Sequence, residues 1–159
     1  MTTPAPTPVT ALARRWRLEV NMGTVDTPDW QLCPAITEFQ WEAPPNLEDS
    51  GTYDDDGWDG NTKTGQGWSV TATFNRKTSA DSTVYNPVHE KIRATAFGWG
   101  AQSEIPIRWM DRNGLPEAYQ GSALVEWAPS GGNKNDLDQV EVTFTGNGPL
   151  QQITNPLAA

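Results

Sequence analysis

The groups in this 159-residue chain that could do chemistry are twenty carboxylates, one histidine and one cysteine, and none falls in a pattern that commits it to a reaction. His89 follows Asn86 and Pro87, where a helix would begin, and has no Ser, Cys or acid around it in the context of a triad or a nucleophile elbow. It reads as an ordinary helix residue. In a chain this acidic almost any two carboxylates could be offered as a glycosidase pair, so their abundance says nothing for that reaction. The run Asp54 to Gly60 invites a calcium loop, yet no starting position puts acids first, third and fifth, Gly sixth and Glu twelfth. Cys33, alone, excludes an intrachain disulfide and a multi-cysteine zinc site and reads as a buried thiol. The chain is therefore expected to be no enzyme, with no cofactor and no metal.

Binding is the remaining chemistry, and eight tryptophans make sugar stacking the first form of it to consider. Trp16, Trp41, Trp68, Trp109 and Trp127 share the phase of the aliphatic residues around them and belong to a core. Only Trp30, Trp58 and Trp99 fall in turns or loops. Three scattered aromatics are a thin basis for a carbohydrate-binding β-sandwich module, which stays as the alternative reading. A net charge of -9 and a pI near 4.4 argue against gripping nucleic-acid phosphates, which takes clustered Lys and Arg. The N-terminal residues lack the basic start and apolar run of a signal peptide, and no stretch approaches the ~18 apolar residues of a membrane span. A soluble, cytoplasmically made product with no membrane insertion is expected.

The elements that would position these groups are mostly strands. In Trp68 to Arg76, Trp68, Val70, Ala72 and Phe74 fall on one face and Ser69, Thr71, Thr73 and Asn75 on the other, the period of a half-buried strand. Trp16 to Met22, Ile36 to Glu42, Ile105 to Trp109, Tyr119 to Trp127 and Val140 to Thr145 read the same way, with a short last strand around Leu150 to Ile153. The basic cluster Arg14, Arg15 and Arg17 reads as a solvated strand edge or a contact with an acidic neighbouring subunit. One helix starts at Asn86, which caps it, with Pro87 at its first position, Val88, Ile92 and Ala96 on its apolar stripe, and Gly98 expected in the left-handed conformation that stops it. Residues 1–13 alternate Pro with Thr and Ala and read as a flexible arm, leaving 14–159 as a single domain. From Ala43 to Gly67 periodicity vanishes, giving one long loop. Glu42, Glu48, Asp49, Asp54, Asp55, Asp56 and Asp59 lie in or beside it with no base among them.

Taken together, these segments resemble the major tail tube protein of long-tailed, siphovirus-type bacteriophages. The carriers are Trp30 through Ile36 to Phe39, the loop Gly51 to Gly57, Gly67 to Arg76, Tyr119 to Val125 and Val140 to Ile153, in that order and spacing. The resemblance implies a mainly β fold, a β-sandwich or barrel-like tail tube fold with one flanking α-helix. It also implies six subunits closing into a ring around a lumen, with rings stacking into the tube of a virion tail that conducts DNA during ejection. Partners would be other copies of the chain, a tape measure protein, the tail tip and the tail terminator, with DNA in transient, sequence-independent passage. Within that frame Glu38, Gln40, Ser69, Thr71, Thr73, Glu141, Thr143 and Thr145, the polar phase of the most regular strands, are expected to face the lumen. An acidic lumen repels phosphates, so DNA would slide through it. Glu48, Asp49, Tyr53, Asp54, Asp55, Asp56, Trp58 and Asp59 are expected to order against a neighbouring subunit.

Overall fold

The computed structural model describes residues 2–158. Its strands are β1 (Trp16–Asn21), β2 (Trp30–Leu32), β3 (Ile36–Glu42), β4 (Pro45–Asp49), β5 (Asn61–Gln66), β6 (Ser69–Asn75), β7 (Glu104–Asp111), β8 (Ala118–Pro129), β9 (Gln139–Gly146) and β10 (Gln151–Gln152). A single α-helix, α1 (Pro87–Ala96), and three short 3-10 turns complete it. All but β4 and β5 join one antiparallel sheet in the order β2-β1-β7-β8-β9-β6-β3, with β10 added to β8. The long strand β8 is where that sheet divides. Its early residues Tyr119 and Gln120 pair with β10, while Ala123 to Pro129 pair with β9. The two ends then fold face to face, bringing Trp16 of β1 to 6.1 Å from Phe39 and 6.3 Å from Trp41 of β3. The result is a mainly β sandwich closed from one sheet, with a single flanking helix.

The alternating apolar residues meet inside this fold. Trp109 is fully buried, with the rings of Trp68, Trp41, Tyr119 and Phe39 at 5.6, 5.7, 5.7 and 6.4 Å. Each aliphatic or Phe side chain buried around it contributes about 1.5–3 kcal/mol. Trp68 lies against the backbone of β8 and β9, and a Cβ at Gly121 or Gly146 would stand 2.5 or 2.3 Å from its ring. Only glycine fits there. The Trp68 indole N–H donates to the Gly148 carbonyl at 3.1 Å. In β3 a bulge at Thr37 changes the phase, so that Ile36 and Phe39, three apart, both face the core.

Helix α1 begins as its sequence requires, with the Asn86 side chain accepting from the Val88 and His89 amides. Val88, Ile92 and Thr95 turn inward together with His89. The histidine is completely buried, stacks on Phe74 at 4.0 Å and bonds the Pro34 carbonyl through Nε2 at 3.0 Å. Burial lowers its pKa, so the ring is neutral and Nε2 carries the proton it donates. Gly98 does not take the left-handed conformation expected of it. The helix ends on Phe97, and Gly98 is needed because the next turn folds back so closely that a Cβ would lie 2.4 Å from the Gln102 carbonyl oxygen.

Three further expectations are corrected. The polar phase of β1 is not solvated: Glu19 and Asn21 are buried, Glu19 accepting from Arg17 and Arg108 at 2.7 and 2.8 Å. Arg15 is likewise paired within the chain, to Asp111 at 2.9 Å and Glu117 at 3.2 Å, leaving Arg14 as the one member of that cluster without an ion pair among the described residues. Burial pushes the Asp111 carboxyl up, but the bond from Arg15 and the Asn113 amide outweigh it and the net pKa is lowered. Trp30 is not a turn residue but begins β2, covered by the Arg108 guanidinium at 4.6 Å. Cys33 is buried as expected, and desolvation pushes its thiol up to about 12.

The segment 43–67 is not a structureless loop. β4 and β5 form a two-stranded hairpin with a 3-10 turn at Tyr53–Asp55 near its tip. Its strands were invisible to periodicity because neither face is buried, so no alternation of apolar and polar residues is required. At the tip the Asp55 carboxylate accepts from the Thr52 amide at 2.8 Å in a capping box, and Asp56 and Gly57 take positive φ.

Candidate functional site

Two surfaces stand out once the strands are in register: a polar sheet face and the hairpin arm. All eight polar-phase residues singled out in the sequence lie on one face of β3, β6 and β9. Glu38, Thr73 and Glu141 form one cross-strand row, and Gln40, Thr71 and Thr143 a second. Ser69 and Thr145 form a third with Glu42. Regular antiparallel pairing places neighbours in each row ~4.5–5.5 Å apart. The face continues onto β8, where Glu126 stands opposite Thr143 and Leu124 opposite Thr145.

Glu42 and Glu126 thus join the face beyond the residues first assigned to it. Alternation carried the signal for both, since Glu126 sits between Val125 and Trp127 and Glu42 follows Trp41. Four carboxylates, Glu38, Glu42, Glu126 and Glu141, and no Lys or Arg project from these four strands' outward phase. Small hydroxyls fill the space between them. Such a surface offers hydrogen bonds to water and repulsion to anions. Among the described residues no group of three or more His, Cys, Asp or Glu side chains is arranged to hold a metal ion.

The second surface is the arm, and it grows directly out of the first. Glu42 opposes Ser69 in the body, and Pro45 opposes Gln66 in the arm, so the ribbon keeps a single register across the joint at Pro44 and Gly67. Beyond the joint every side chain of β4 is exposed. Glu48 and Asp49 lie on β4, Tyr53, Asp54 and Asp55 in the turn, and Asp56, Trp58 and Asp59 around the tip. Tyr53 is fully exposed and Trp58 is 81% exposed. At the arm's root a groove of about 460 Å³ runs between Trp41, Trp68, Tyr119, Pro149 and Leu150. The three tryptophans that a sugar-binding module would use lie on separate elements, with Trp30 beneath Arg108, Trp58 on the arm and Trp99 after the helix. They form no row on one strand or helix.

Solved structures with the same architecture are subunits of tails, tail tubes and tube-terminating caps. The chain superposes on a subunit from the tail of an empty gene transfer agent particle of C6 symmetry with a TM-score of 0.65 and 11% identity, over 91% of this chain and 99% of that one. This is the tail tube fold. The SPP1 tail tube subunit matches with a TM-score of 0.62 and 13% identity over 87% of this chain and 77% of its own. The tube-terminating cap of the anti-feeding prophage matches with a TM-score of 0.62 and 10% identity over 95% and 97%. No family model and no curated protein matches the sequence.

Proposed function

We propose that the chain is a structural, non-enzymatic subunit that assembles into stacked six-membered rings, forming the tail tube of a virion through which DNA is ejected. The observation that carries this reading is the single uncharged-to-acidic face of β3, β6, β9 and β8, built on the tail tube fold. In a ring that face lines the lumen. Its carboxylates hold the DNA phosphates off, and its hydroxyls keep a water layer in place, so that the polymer passes without sticking. The arm reaches a neighbouring subunit or ring, where Tyr53 and Trp58 leave water. Tape measure, tail tip and terminator proteins would be the other partners, and the virion tail the location.

Negative-stain electron microscopy of the purified protein, from dilute to concentrated solution, is the test. Hollow rings or tubes are the expected result. A protein that stays monomeric at every concentration and on addition of preformed tail tips would overturn the reading. Deleting Glu48 to Gly60 should abolish tubes while the circular dichroism of the body is retained, and unimpaired tubes would remove the arm from assembly. A cysteine at Thr71 should react with a bulky maleimide in the free subunit and be shielded in tubes. Cys33 does not interfere, being buried with its thiol pushed up to about 12.

A further inference from the structure

The N-terminal segment has a feature that neither the lumen nor the arm uses. Pro4, Pro6 and Pro8 occupy alternate positions, separated by Ala5 and Thr7. In an extended strand the N–H and C=O of successive residues point to opposite edges. All three missing amides therefore fall on one edge, and Thr3, Ala5, Thr7, Val9 and Ala11 present intact amides on the other. Residues preceding proline are held out of the helical region, so Thr3, Ala5 and Thr7 are biased toward extension. The segment is a strand with one competent edge. That edge can pair, and the blocked edge cannot template a further strand.

The body offers a matching partner. β3 ends the sheet order, so among the described residues its seven residues have β6 on one side and no strand on the other. A groove of about 390 Å³ crosses β3, from Ala13, Arg14, Trp16 and Arg112 over residues 36–40 to Thr71 and Thr73 of β6. Residues 2–12 carry no charged side chain and so approach Glu38 and Glu42 without repulsion. Within one chain the segment does not take this place. It leaves the body at the 3-10 turn Ala13–Arg15, and residues 2–12 are exposed without strand pairing.

We propose that residues 3–11 of one copy add as an edge strand onto β3 of a second copy, through the backbone groups of the odd-numbered residues. This rests on the chain being self-assembling. Each copy gives one strand and receives one, and the prolines then face outward and end the sheet.

The test uses the full-length chain kept dilute, with a synthetic peptide of residues 2–12 added, and follows hydrogen exchange of the β3 amides. The unaltered peptide is expected to slow exchange in residues 36–42 severalfold. A peptide carrying Pro4→Ala and Pro6→Ala should do the same, since its pairing edge is untouched. One carrying Ala5→Pro and Thr7→Pro should lose the effect, because its proline content rises but its pairing edge is blocked. Equal protection by that last peptide, or none by the unaltered one at millimolar concentration, overturns the proposal. Because the measurement is made on unassembled protein, its outcome is separate from whether rings appear in the microscope.

Discussion

The β3–β6 pair and the β4–β5 pair are two halves of one antiparallel ribbon, in register across their joint and each with one bulge, yet only the first half has a core beneath it. In the body half, Val70, Ala72 and Phe74 are completely buried and the opposite phase is polar. In the arm half neither strand contributes a buried residue. What holds the arm is its backbone ladder, a few polar contacts such as Asn46 to Thr64 at 3.1 Å, and the capping box at its tip. An isolated two-stranded hairpin is marginally stable in water. The contrast teaches that a shared register does not imply shared stability. The body is self-sufficient, whereas the arm exposes Tyr53 and Trp58, side chains that would gain most from a partner.

The largest break in that contrast should come from the aromatic centre. Trp109→Ala is expected to destabilise the subunit by about 3–5 kcal/mol, read as a fall in the guanidinium midpoint at unchanged slope. Next, Gly146→Ala should cost about 1–3 kcal/mol, because Trp68 must shift off the β9 backbone; a midpoint equal to that of the unaltered protein would mean the ring has room after all.

Acidification should then weaken the body through two groups. His89 has a lowered pKa in the fold, so the stability of its neutral form is present above its ordinary value near 6.5 and is lost as pH falls below it. Replacing His89 with Phe should flatten the stability profile just below that pH. Glu90 is held down at about 2 by hydrogen bonds from Arg93 and Arg76, so its contribution is present above about 4.5 and fades between there and about 2. Glu90→Gln should remove that second, lower-pH loss from a urea titration series.

The smallest effect belongs to the arm. Trp58→Ala in the unassembled subunit should change stability by less than ~0.5 kcal/mol. A loss comparable to that of Trp109→Ala would show that the arm folds back on the body and would erase the distinction between the two halves.

Much of this was legible in the chain before its fold was known. The phase of β6 and β9 was readable because a core on one side and solvent on the other force a strict alternation, and six of the eight polar-face residues follow from it, with Glu38 and Gln40 read from the alternation around Phe39 and Trp41 in β3. The helix start was readable because Asn86 and Pro87 act locally, through amides only two or three residues away. Where an element has no buried face, as in β4 and β5, or spans only three residues, as in β2, no alternation exists to be read. Tertiary structure alone decided that Glu19 would be buried between two arginines, that Gly98, Gly121 and Gly146 would serve close approach, and that the ribbon would leave the sandwich at Pro44 and Gly67. Those outcomes depend on which strands become neighbours, and pairing between distant segments is set by the whole sheet closing on Trp109, not by any stretch of residues taken singly.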